Sequence, residues 1–433
     1  MELVNKSLYN EFMGMNDTPS GNRVHIGFFG RRNAGKSSLV NAVTGQASAL
    51  VSDVKGTTTD PVFKSMELLP LGPVVIIDTP GFDDEGDLGE KRVSRAKQVL
   101  NKTDMAVLVI DSEIGALVDI EEELLDLFKA KNIPYIIALN KSEKIPEENL
   151  PRKNQHEPLL RYLTSGSCGM CGSWLKKEIN NILPVSAKTG FNINLLKEKI
   201  AQIAQTEEPE KYLVRDLIQT GGFVVLVIPI DKAAPKGRLI LPQQQMIRDI
   251  LEAGGTAISV RESELEKTLV NIGKKPSLVI TDSQVFAQVS AIVPQEIPLT
   301  SFSILFARVK GFLDTAVNGA AALDNIKDND KILICEGCTH HRQCDDIGTV
   351  KIPRLVKNHC KREPKFNFCS GGDFPSDLTA YKLIIHCGSC MLNQREMQYR
   401  QNLAIERNIP FTNYGIAIAH MTGILKRSIS MFI

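Results

Sequence analysis

The stretch GFFGRRNAGKSS, residues 27–38, constrains the fold of this chain more than any other segment. Residues 30–37 match the pattern G-x-x-x-x-G-K-[ST], with the apolar run VHIGFFG before it and KSSLVNAVTG after it, which predict a strand and a helix. Glycines let backbone N–H groups point at a phosphate, and the helix N-terminus adds a partial positive charge. The segment therefore predicts a nucleotide-binding α/β domain.

Further motifs follow in the order that a GTP-binding domain requires. GTTTD (56–60) comes first, then the strand VVIIDTPG (74–81), and then IIALNKSE (136–143) and LPVSAKTG (183–190), whose loops would contact the base. One such motif occurs by chance, but all of them in this order indicate a GTPase. The predicted nucleotide-contacting residues are Gly30, Asn33, Ala34, Gly35, Lys36, Ser37, Ser38, Asn140, Lys141, Glu143, Ser186, Ala187 and Lys188.

Five residues are predicted to act on the phosphates and on Mg²⁺. Lys36 would contact the β- and γ-phosphates, while the Ser37 hydroxyl would ligate Mg²⁺. Asp78 would hold the same ion through water, and Gly81 would turn its N–H toward the γ-phosphate. Thr58 is the candidate switch threonine, which would sense both the γ-phosphate and the metal.

Asn33 and the segment GTTTD resemble the motifs of translation-factor-like GTPases, a group that includes tRNA-modification and ribosome-assembly members. The resemblance implies that Asn33 helps to hold a potassium ion (K⁺) beside the phosphates, where other GTPases use an arginine finger. Phe82 stands where Ras-like proteins have a catalytic glutamine. A carboxylate among residues 83–85 would then position water, and intrinsic hydrolysis is expected to be slow.

Two features depart from the usual pattern of a guanine-binding domain. Glu143 replaces the aspartate of the motif Asn-Lys-x-Asp, so we still expect GTP, held with a looser fit. An insert of about residues 145–180 contains Cys168 and Cys171 as C-x-x-C, the spacing of half a zinc site or of a redox pair. No second pair lies nearby in sequence, so a structural or incidental role is favoured.

Composition excludes several classes of protein. A chain of 433 residues is too long for one core, so two or three domains are expected. A formal net charge of +1 without a basic stripe argues against nucleic acid, and the longest apolar run, GGFVVLVIPI, is too short to cross a membrane. Nine cysteines without a secretory signal predict the reducing cytoplasm, where thiols serve metal binding, redox chemistry or packing.

The middle of the chain has the pattern of a small parallel sheet. After the polar linker AQTEEPEKYLV (204–214), predicted strands in GGFVVLVIPID, TAISVR and SLVITD alternate with helices in QQQMIRDILEAGG and ESELEKTLVNIGKK. A sheet this small needs a partner surface, so we expect a contact between copies of the chain here.

Cysteine and histidine residues follow two predicted strands in the last third of the chain. After a predicted helix over residues 306–326, KILICEGC and YKLIIHCGSC each indicate a strand that runs into a loop. The carboxyl ends of parallel strands share one edge of a sheet, so these loops would meet. The residues expected together there are Cys338, Cys387 and Cys390, with His340 and His386 nearby.

This pattern indicates a metal site without selecting the metal. Closed tetrahedral sites with several thiolates suit zinc, whereas three thiolates with an open fourth position suit a [4Fe–4S] cluster. The other thiols of this region lack paired spacing and are interpreted as structural; they are Cys335, Cys344, Cys360 and Cys369.

Three stretches together resemble one family along essentially the whole chain. They are the GTPase motifs, DKAAPKGRLILPQQQ (231–245), and EGCTHHRQCDDIGTVKIPR (336–354) followed by HCGSC. This combination is similar to the [FeFe]-hydrogenase maturation GTPases, the HydF family. The resemblance implies that Cys338, Cys387 and Cys390 bind a [4Fe–4S] cluster, and it makes His340 and His386 the candidates for a fourth ligand.

The resemblance also implies a scaffold and carrier. The cluster would hold a transient di-iron precursor of the H-cluster, two radical-SAM maturation enzymes would supply its parts, and apo-[FeFe]-hydrogenase would receive it. Members of the family dimerise through the middle domain, which implies a homodimer, and potassium stimulates their GTP hydrolysis. Nucleotide hydrolysis would then change the affinity for partners instead of driving chemistry at the cluster.

These interpretations combine into an α/β chain with a P-loop GTPase domain followed by two smaller parallel-sheet α/β domains. The predicted boundaries are 1–205 for the GTPase domain, 212–300 for the dimerisation domain and 303–433 for the cluster-binding domain. Two alternatives stay open: a zinc-containing GTPase acting in RNA modification or ribosome assembly, and a redox enzyme whose cluster cycles electrons. Balanced charge disfavours the first, and the lack of a flavin, nicotinamide or radical-SAM motif in the sequence disfavours the second.

Overall fold

The computed structural model describes residues 18–45, 61–81, 97–112, 119–150, 178–204, 211–230, 239–338 and 346–432. These residues form two compact units. One lies within Arg23–Glu208, and the other combines the segment before Arg23 with the chain that follows Glu208.

Six described strands of the first unit form a single sheet. They are β1 (Val24–Phe29), β2 (Val62–Leu68), β3 (Gly72–Asp78), β4 (Met105–Asp111), β5 (Tyr135–Asn140) and β6 (Ile182–Pro184). Their order is β2-β3-β1-β4-β5-β6, with β2 antiparallel to β3 and the other pairs parallel. The helices that connect and cover them are α1 (Lys36–Thr44), α2 (Asp119–Ala130) and α3 (Ile193–Ala204).

The sheet of the first unit is buried on both faces. Phe28 and Phe29 are consecutive on β1 and point to opposite faces, and both are fully buried. Phe29 packs against Phe128 of α2 with ring centroids 5.4 Å apart, whereas Phe28 shares the other core with Leu39 of α1. This two-sided burial is typical of parallel sheets, and it leaves the carboxyl ends of the strands as the edge where loops meet.

The second unit contains two four-stranded parallel sheets. The first consists of β7 (Phe223–Val227), β8 (Thr256–Val260), β9 (Leu278–Thr281) and β10 (Leu299–Ser301), in the order β10-β9-β7-β8. The second consists of β11 (Lys331–Glu336), β12 (Lys365–Ser370), β13 (Leu383–His386) and β14 (Phe411–Asn413), in the order β12-β11-β13-β14. Strands β11 and β13, which precede the cysteines, are therefore neighbours.

Nine α-helices lie among the described residues of the second unit. They are α4 (Leu241–Glu252), α5 (Leu265–Asn271), α6 (Phe286–Ile292), α7 (Phe302–Val309), α8 (Leu313–Ala320), α9 (Ile352–Cys360), α10 (Gln394–Glu406), α11 (Tyr414–Met421) and α12 (Leu425–Ile429). A π-helical turn, Ile347–Lys351, leads into α9. In the part of the chain that the structure describes, no helix combines the length and apolar character that crossing a bilayer requires.

The prediction of one helix over residues 306–326 is wrong. The segment contains the end of α7, all of α8 and a 3₁₀ turn at Ala321–Asn325. Gly311 interrupts it with a left-handed φ of 79°, because a helix cannot continue through that conformation. The break divides the segment into two helices, and buried side chains of both, such as Ala307 and Ala316, belong to the same hydrophobic cluster.

The two sheets of the second unit share one hydrophobic core. Val279 of β9, Ile304 of α7, Ile334 of β11 and Ala417 of α11 belong to the same continuous cluster of buried side chains. Within this unit, therefore, the part predicted to dimerise and the part predicted to bind a cluster are packed together instead of being joined only by a linker.

Candidate nucleotide site and candidate metal site

The loop between β1 and α1 depends on two glycines that approach other backbone and side-chain atoms closely. A Cβ at Gly30 would lie 2.2 Å from the carbonyl oxygen of Val109, and a Cβ at Gly35 would lie 2.3 Å from Nδ2 of Asn140. Both glycines have positive φ, 142° and 85°, which side chains disfavour. Asn33 also adopts the left-handed region at 61°, and its side chain is exposed.

Lys36 lies across this loop. Its ammonium group donates to the carbonyl oxygens of Gly30 at 2.8 Å and Arg31 at 2.6 Å, and the side chain is buried. The positive charge is therefore held where the loop curves, next to the backbone N–H groups that would face phosphate. Ser38, the next predicted contact, is half-buried on the first turn of α1.

Ser37 and Asp78 meet at the carboxyl end of the sheet. The Ser37 hydroxyl donates to Oδ2 of Asp78 at 2.7 Å, and Asp78 is 5% exposed. Burial raises the pKa of the Asp78 carboxyl, and the Ser37 hydrogen bond and the Lys36 charge only partly oppose this. Its second oxygen, Oδ1, is buried without a hydrogen-bond partner among the described residues. A hydrated Mg²⁺ ion would supply that partner, so these two residues fit a magnesium site.

Asn140 joins the phosphate loop to the base-contacting loops. Its Nδ2 donates to the carbonyl oxygen of Ala34 at 2.9 Å, and its Oδ1 accepts from the N–H of Ala187 at 3.1 Å. The side chain is buried, so both hydrogen bonds are made out of water. Three predicted site segments, which begin far apart in sequence, are thus held together by one amide.

Lys141 and Ser186 hold the two base-contacting loops in shape. Lys141 has a left-handed φ of 63°, and its ammonium donates to Asp111 at 2.5 Å. The Ser186 hydroxyl oxygen accepts from the N–H of Thr189 at 3.0 Å. These contacts attach the loop after β5 to the end of β4 and close the loop after β6 on itself.

Glu143, the residue that departs from the usual guanine motif, faces the other base-contacting loop. Burial raises the pKa of its carboxyl, but a hydrogen bond from the Ser186 hydroxyl and the charges of Lys188 and Lys144 outweigh burial, so the net pKa is lowered. The Glu143 carboxylate is therefore ionised and oriented between the loops. An ionised acceptor here suits the N–H donors on one edge of guanine.

Of the remaining residues predicted for the nucleotide site, the structure describes only Gly81. Gly81 lies against the phosphate loop, since a Cβ there would be 2.8 Å from the backbone nitrogen of Arg32. Thr58, Phe82 and the carboxylates of residues 83–85 fall outside the described residues, as do Cys168 and Cys171 of the insert. Their predicted roles stay predictions.

The cysteines of the second unit lie just beyond two adjacent strands. In the register of β11 and β13, Cys335 is opposite His386, and the N–H of Cys387 donates to the Cys335 carbonyl oxygen at 2.8 Å. Cys338 therefore follows its strand beside the loop that carries Cys387 and Cys390. The structure brings these three thiols to one edge of the sheet. They lie close enough that Cys387 and Cys390 raise the pKa of Cys338, and Cys387 raises the pKa of Cys390.

The loop backbone is arranged around the sulfur of Cys387. The N–H of Gly337 donates to this Sγ at 3.1 Å, and the N–H of Ser389 donates at 3.4 Å. Ser389 has a left-handed φ of 62°, which turns its N–H back toward the sulfur. Two donors on one sulfur stabilise a thiolate more than a thiol, so this geometry favours a metal-binding form.

All three thiols are hard to ionise without a positive partner. Burial raises the pKa of Cys338, and the negative charges of Cys387 and Cys390 raise it further. Burial raises the pKa of Cys390 to about 12, while the nearby Lys310 ammonium lowers it in part. Burial raises the pKa of Cys387 too, against the two N–H donors. A bound cation would reverse this preference by stabilising the thiolates.

His386 occupies a position that does not favour metal ligation. The ring is fully buried, its Nε2 lies 3.0 Å from Nη1 of Arg400, and its Nδ1 lies 3.1 Å from the Cys387 carbonyl oxygen and from the Ser389 hydroxyl. Both ring nitrogens therefore have partners. His340, the other candidate fourth ligand, falls outside the described residues and stays a prediction.

Three residues around the thiols were not anticipated from the sequence. Arg400 reaches the site from the middle of α10, and Lys310 reaches it from the end of α7, where its ammonium donates to the Gly21 carbonyl oxygen at 2.9 Å. A Cβ at Gly21 would lie 2.7 Å from the carbonyl oxygen of Cys390, so this residue packs directly on the cysteine loop. No local pattern marks any of them: Gly21 and Lys310 are distant from the cysteines in sequence, and Arg400, ten residues after Cys390, lies on a helix that follows the cysteine loop.

The cysteine pair interpreted as structural lies side by side in neighbouring strands. Cys335 and Cys369 are opposite each other in the register of β11 and β12, and their sulfur atoms are 3.0 Å apart. Both are buried free thiols. They pack inside the core, whereas the three predicted ligands lie in loops.

Three family models match the chain. The hydrogen maturase F dimerization domain matches residues 213–311, and the hydrogen maturase F tetramerization domain matches residues 314–431. Together these two cover about half of the chain. The chain belongs to the hydrogen maturase F family. The model described as 50S ribosome-binding GTPase matches residues 25–141, so the first unit of this family member is a GTPase domain.

Curated relatives resemble the front of this hydrogen maturase F family member. GTPase Der of Wolinella succinogenes is 32% identical over 196 residues, which are 45% of this chain and 38% of the relative. The tRNA modification GTPase MnmE of Prochlorococcus marinus (strain NATL2A) is 36% identical over 166 residues, which are 38% of this chain and 31% of the relative. The chain thus spans less than two fifths of the length of either relative.

Among solved structures, a probable GTP-binding protein engB is similar to part of this chain. Its sequence is 25% identical, its TM-score is 0.32, and the match covers 42% of this chain and 99% of that chain.

Proposed function

We propose that this chain is a GTP-hydrolysing scaffold that binds a [4Fe–4S] cluster and assembles or delivers the di-iron subcluster of the H-cluster to apo-[FeFe]-hydrogenase. The observation that carries the proposal is the convergence of Cys338, Cys387 and Cys390 at adjacent strand ends, in a member of the hydrogen maturase F family.

The spacing of the three sulfurs supports a cluster over a single zinc ion. A Zn–S distance of about 2.3 Å separates tetrahedral sulfurs by only about 3.8 Å. Among the described residues, Cys338, Cys387 and Cys390 do not form a set whose ligand atoms all lie within 4.8 Å of one another. A cluster presents a separate iron to each thiolate, so its ligands can be wider apart.

The protein contributes the geometry and the charge balance of this site. When bound, the cluster supplies three thiolate-held irons and one iron with an exchangeable position for the di-iron cargo. The N–H groups of Gly337 and Ser389 hold Cys387, and Lys310 offsets negative charge at Cys390. Because burial raises the pKa of all three thiols, cluster binding releases protons and strengthens as the pH rises.

The first unit would act as a nucleotide switch. Lys36, Ser37 and Asp78 are assigned to the phosphates and to Mg²⁺, with Asn33 assigned to K⁺ and Thr58 to sensing the γ-phosphate. GTP and GDP can bias an interface only if their complexes make different contacts with the partner. Radical-SAM maturation enzymes and apo-[FeFe]-hydrogenase are the proposed partners.

Contacts between copies belong to the same proposal. The dimerization and tetramerization domains that match the second unit support the formation of an oligomer. We assign a homodimer contact to the sheet that contains β8, an edge strand whose side chains are partly exposed.

The proposal is tested by oxygen-free reconstitution of the full chain with iron and sulfide, followed by analysis of iron, sulfide and zinc. Wild type is expected to turn brown and to hold about four irons per chain. Cys338→Ser, Cys387→Ser and Cys390→Ser are expected to lose most of that iron while hydrolysing GTP at the wild-type rate. Cys369→Ser is the matched control, because it removes a thiol of the same domain that lies in the core.

Two results would contradict the proposal. A colourless protein that contains zinc would support the zinc-containing GTPase instead. Iron retained in the variant that lacks all three loop thiols would place the cluster elsewhere. Activation of apo-[FeFe]-hydrogenase by the loaded wild type, with no activation by the Cys338→Ser protein, separates a scaffold from a redox enzyme.

A further inference from the structure

A second group of metal-ligating side chains lies away from the three cysteines. Asp324 is in the 3₁₀ turn after α8, His359 is the penultimate residue of α9, and His420 is the penultimate residue of α11. Their ligand atoms all lie within 4.8 Å of one another, and among the described residues this is the only such group.

Both imidazoles point at the same carboxylate. Nε2 of His359 lies 2.7 Å from Oδ1 of Asp324, and Nε2 of His420 lies 3.0 Å from Oδ1 and 3.1 Å from Oδ2. The two rings meet edge to face with centroids 5.8 Å apart. Three ligand atoms from three separate elements therefore converge on one point, although Asp324 and His420 are far apart in sequence.

The surroundings favour a cation at that point. α9 and α11 both end here, and the carboxyl end of a helix carries a partial negative charge. Both oxygens of the Asp324 carboxylate lie within hydrogen-bond distance of an imidazole nitrogen, so the carboxylate is turned toward this point. The carboxylate side is open, since the side chain of Asp324 is 51% exposed.

We propose that Asp324, His359 and His420 bind a divalent transition metal ion of the zinc class. Two imidazole nitrogens and one carboxylate oxygen form a ligand set typical of zinc sites that keep a fourth position open. Metal–ligand distances of about 2.0–2.1 Å separate tetrahedral ligands by about 3.4 Å, so the observed contacts need to open only slightly. To bind the metal through Nε2, each neutral imidazole carries its proton on Nδ1, so the Nε2 proton moves to the other nitrogen of the same ring.

The open position faces solvent beside a cavity. Asp324 lines a surface cavity of about 590 Å³ together with Lys327, Arg362 and Lys382. Asp330 lines the same cavity, so the lining carries charges of both signs, and water can reach a metal held by Asp324. The ion would also fasten α9 and α11 to the turn after α8, since it takes one ligand from each.

Cobalt(II) is the probe that distinguishes this site from the cysteines. Co²⁺ alone is added without oxygen to the full chain, and visible d–d absorption is recorded beside the near-ultraviolet charge-transfer bands that only thiolate ligands give. Wild type is expected to bind one equivalent of Co²⁺ that adds d–d absorption without charge transfer. In His359→Ala and His420→Ala the affinity for this Co²⁺ ion is expected to fall by at least about 10–100-fold. That is the loss caused by removing a residue that only hydrogen-bonds to a metal ligand, and these variants remove a ligand itself. The charge-transfer bands stay unchanged as an internal control.

Asn358→Ala is the matched control, because Asn358 is exposed and adjacent to His359 on the same helix. Asp324→Asn provides a second variant, and Zn²⁺-dependent thermal stabilisation provides a second readout, which is expected to be smaller in all three site variants than in wild type because the thiols still bind Zn²⁺. The proposal is overturned if wild type has no thiolate-free cobalt equivalent, or if the folded variants bind it as wild type does. Either result would mean that the three side chains form only a hydrogen-bonded network.

Discussion

Nε2 of His386 accepts a 3.0 Å hydrogen bond from Nη1 of Arg400, and both side chains are fully buried. Arg400 is also bonded to Glu396 at 2.9 Å, so its charge is held in place. Burial, and then the Arg400 charge, lower the pKa of His386 to about 3. The ring is therefore neutral with its proton on Nδ1, which donates to the Cys387 carbonyl oxygen at 3.1 Å. His386 therefore positions the cysteine loop through a hydrogen bond to its backbone and not as a metal ligand.

The first prediction follows from this role. His386→Gln is expected to retain the iron of reconstituted wild type, while the free energy of unfolding falls by about 1–3 kcal/mol because buried partners lose a hydrogen bond. Iron analysis and urea unfolding measure the two effects. Arg400→Gln is the comparison, and it should cost about 3–5 kcal/mol because the Glu396 carboxylate is left buried without its partner. Loss of iron from a stable His386→Gln protein would instead make His386 a ligand.

The second prediction concerns the amide that joins three loops of the nucleotide site. Asn140→Ala is expected to weaken the binding of GTP and of GDP alike by about tenfold or more. The substitution removes two buried hydrogen bonds that contribute about 1 kcal/mol each. Calorimetric titration measures the affinities. Asn181→Ala is the control, because it removes an amide bonded to Glu178 away from the phosphate loop. Equal effects of the two variants would show that Asn140 acts only through stability.

The third prediction concerns the departure at Glu143. Glu143→Gln is expected to weaken the binding of GTP by about tenfold to a hundredfold, since hydrogen bonds to a charged group contribute about 1.5–3 kcal/mol. The same change should improve the binding of xanthosine triphosphate relative to that of GTP. Xanthine carries an oxygen where guanine carries an amino group, and the new amide can donate a hydrogen bond to that oxygen. Glu143→Asp keeps the charge and should bind GTP at least as well as wild type. An unchanged GTP affinity in Glu143→Gln would show that Glu143 does not read the base.

The fourth prediction concerns pH and the carboxylate of Asp78. Its folded-state pKa is raised above the model-peptide value of 3.8, so its contribution to stability is fully present below that value and is lost as the pH rises through the folded-state pKa. In EDTA, Asp78→Asn should therefore become more stable relative to wild type as the pH rises from about 4 to about 7, reaching about 1 kcal/mol. Thermal unfolding across this range measures it.

The same Asp78→Asn variant should lose Mg²⁺-dependent GTP hydrolysis, because the amide cannot hold the hydrated ion. Asp314→Asn, at an exposed position on α8, is the control and should show neither effect. If the difference in stability stayed constant with pH, the carboxylate would not titrate in this range and burial would not be its dominant influence.

Much of the nucleotide site could be predicted from short contiguous patterns. Gly30, Gly35, Lys36 and Ser37 lie within eight residues of one another, and their spacing follows from the geometry of one strand–loop–helix turn. Ser37 lies beside Asp78 because β1 pairs with β3 in a particular register. Two apolar segments in the sequence predict that strands exist there, but not which residues lie opposite each other. The tie between Asn140 and Ala34 could not be anticipated, because it depends on side-chain direction across two loops.

The second unit shows the same division. The runs KILICEGC and YKLIIHCGSC predicted the strands before Cys338 and Cys387, whose ends share one edge of a parallel sheet. The helix expected over residues 306–326, in contrast, is broken at Gly311. Nothing in the pattern around Arg400 indicated that it would reach His386.

Local spacing determined which groups this protein can present to a phosphate or to iron, because a loop and its flanking elements are set by neighbouring residues. The tertiary structure alone decided that His386 carries its proton toward a carbonyl and that Asp324, His359 and His420 converge. The first outcome depends on how α10 brings Arg400 to His386, and the second depends on packing among elements far apart in the chain. Contacts of that kind arise from the shared core, which no short segment encodes.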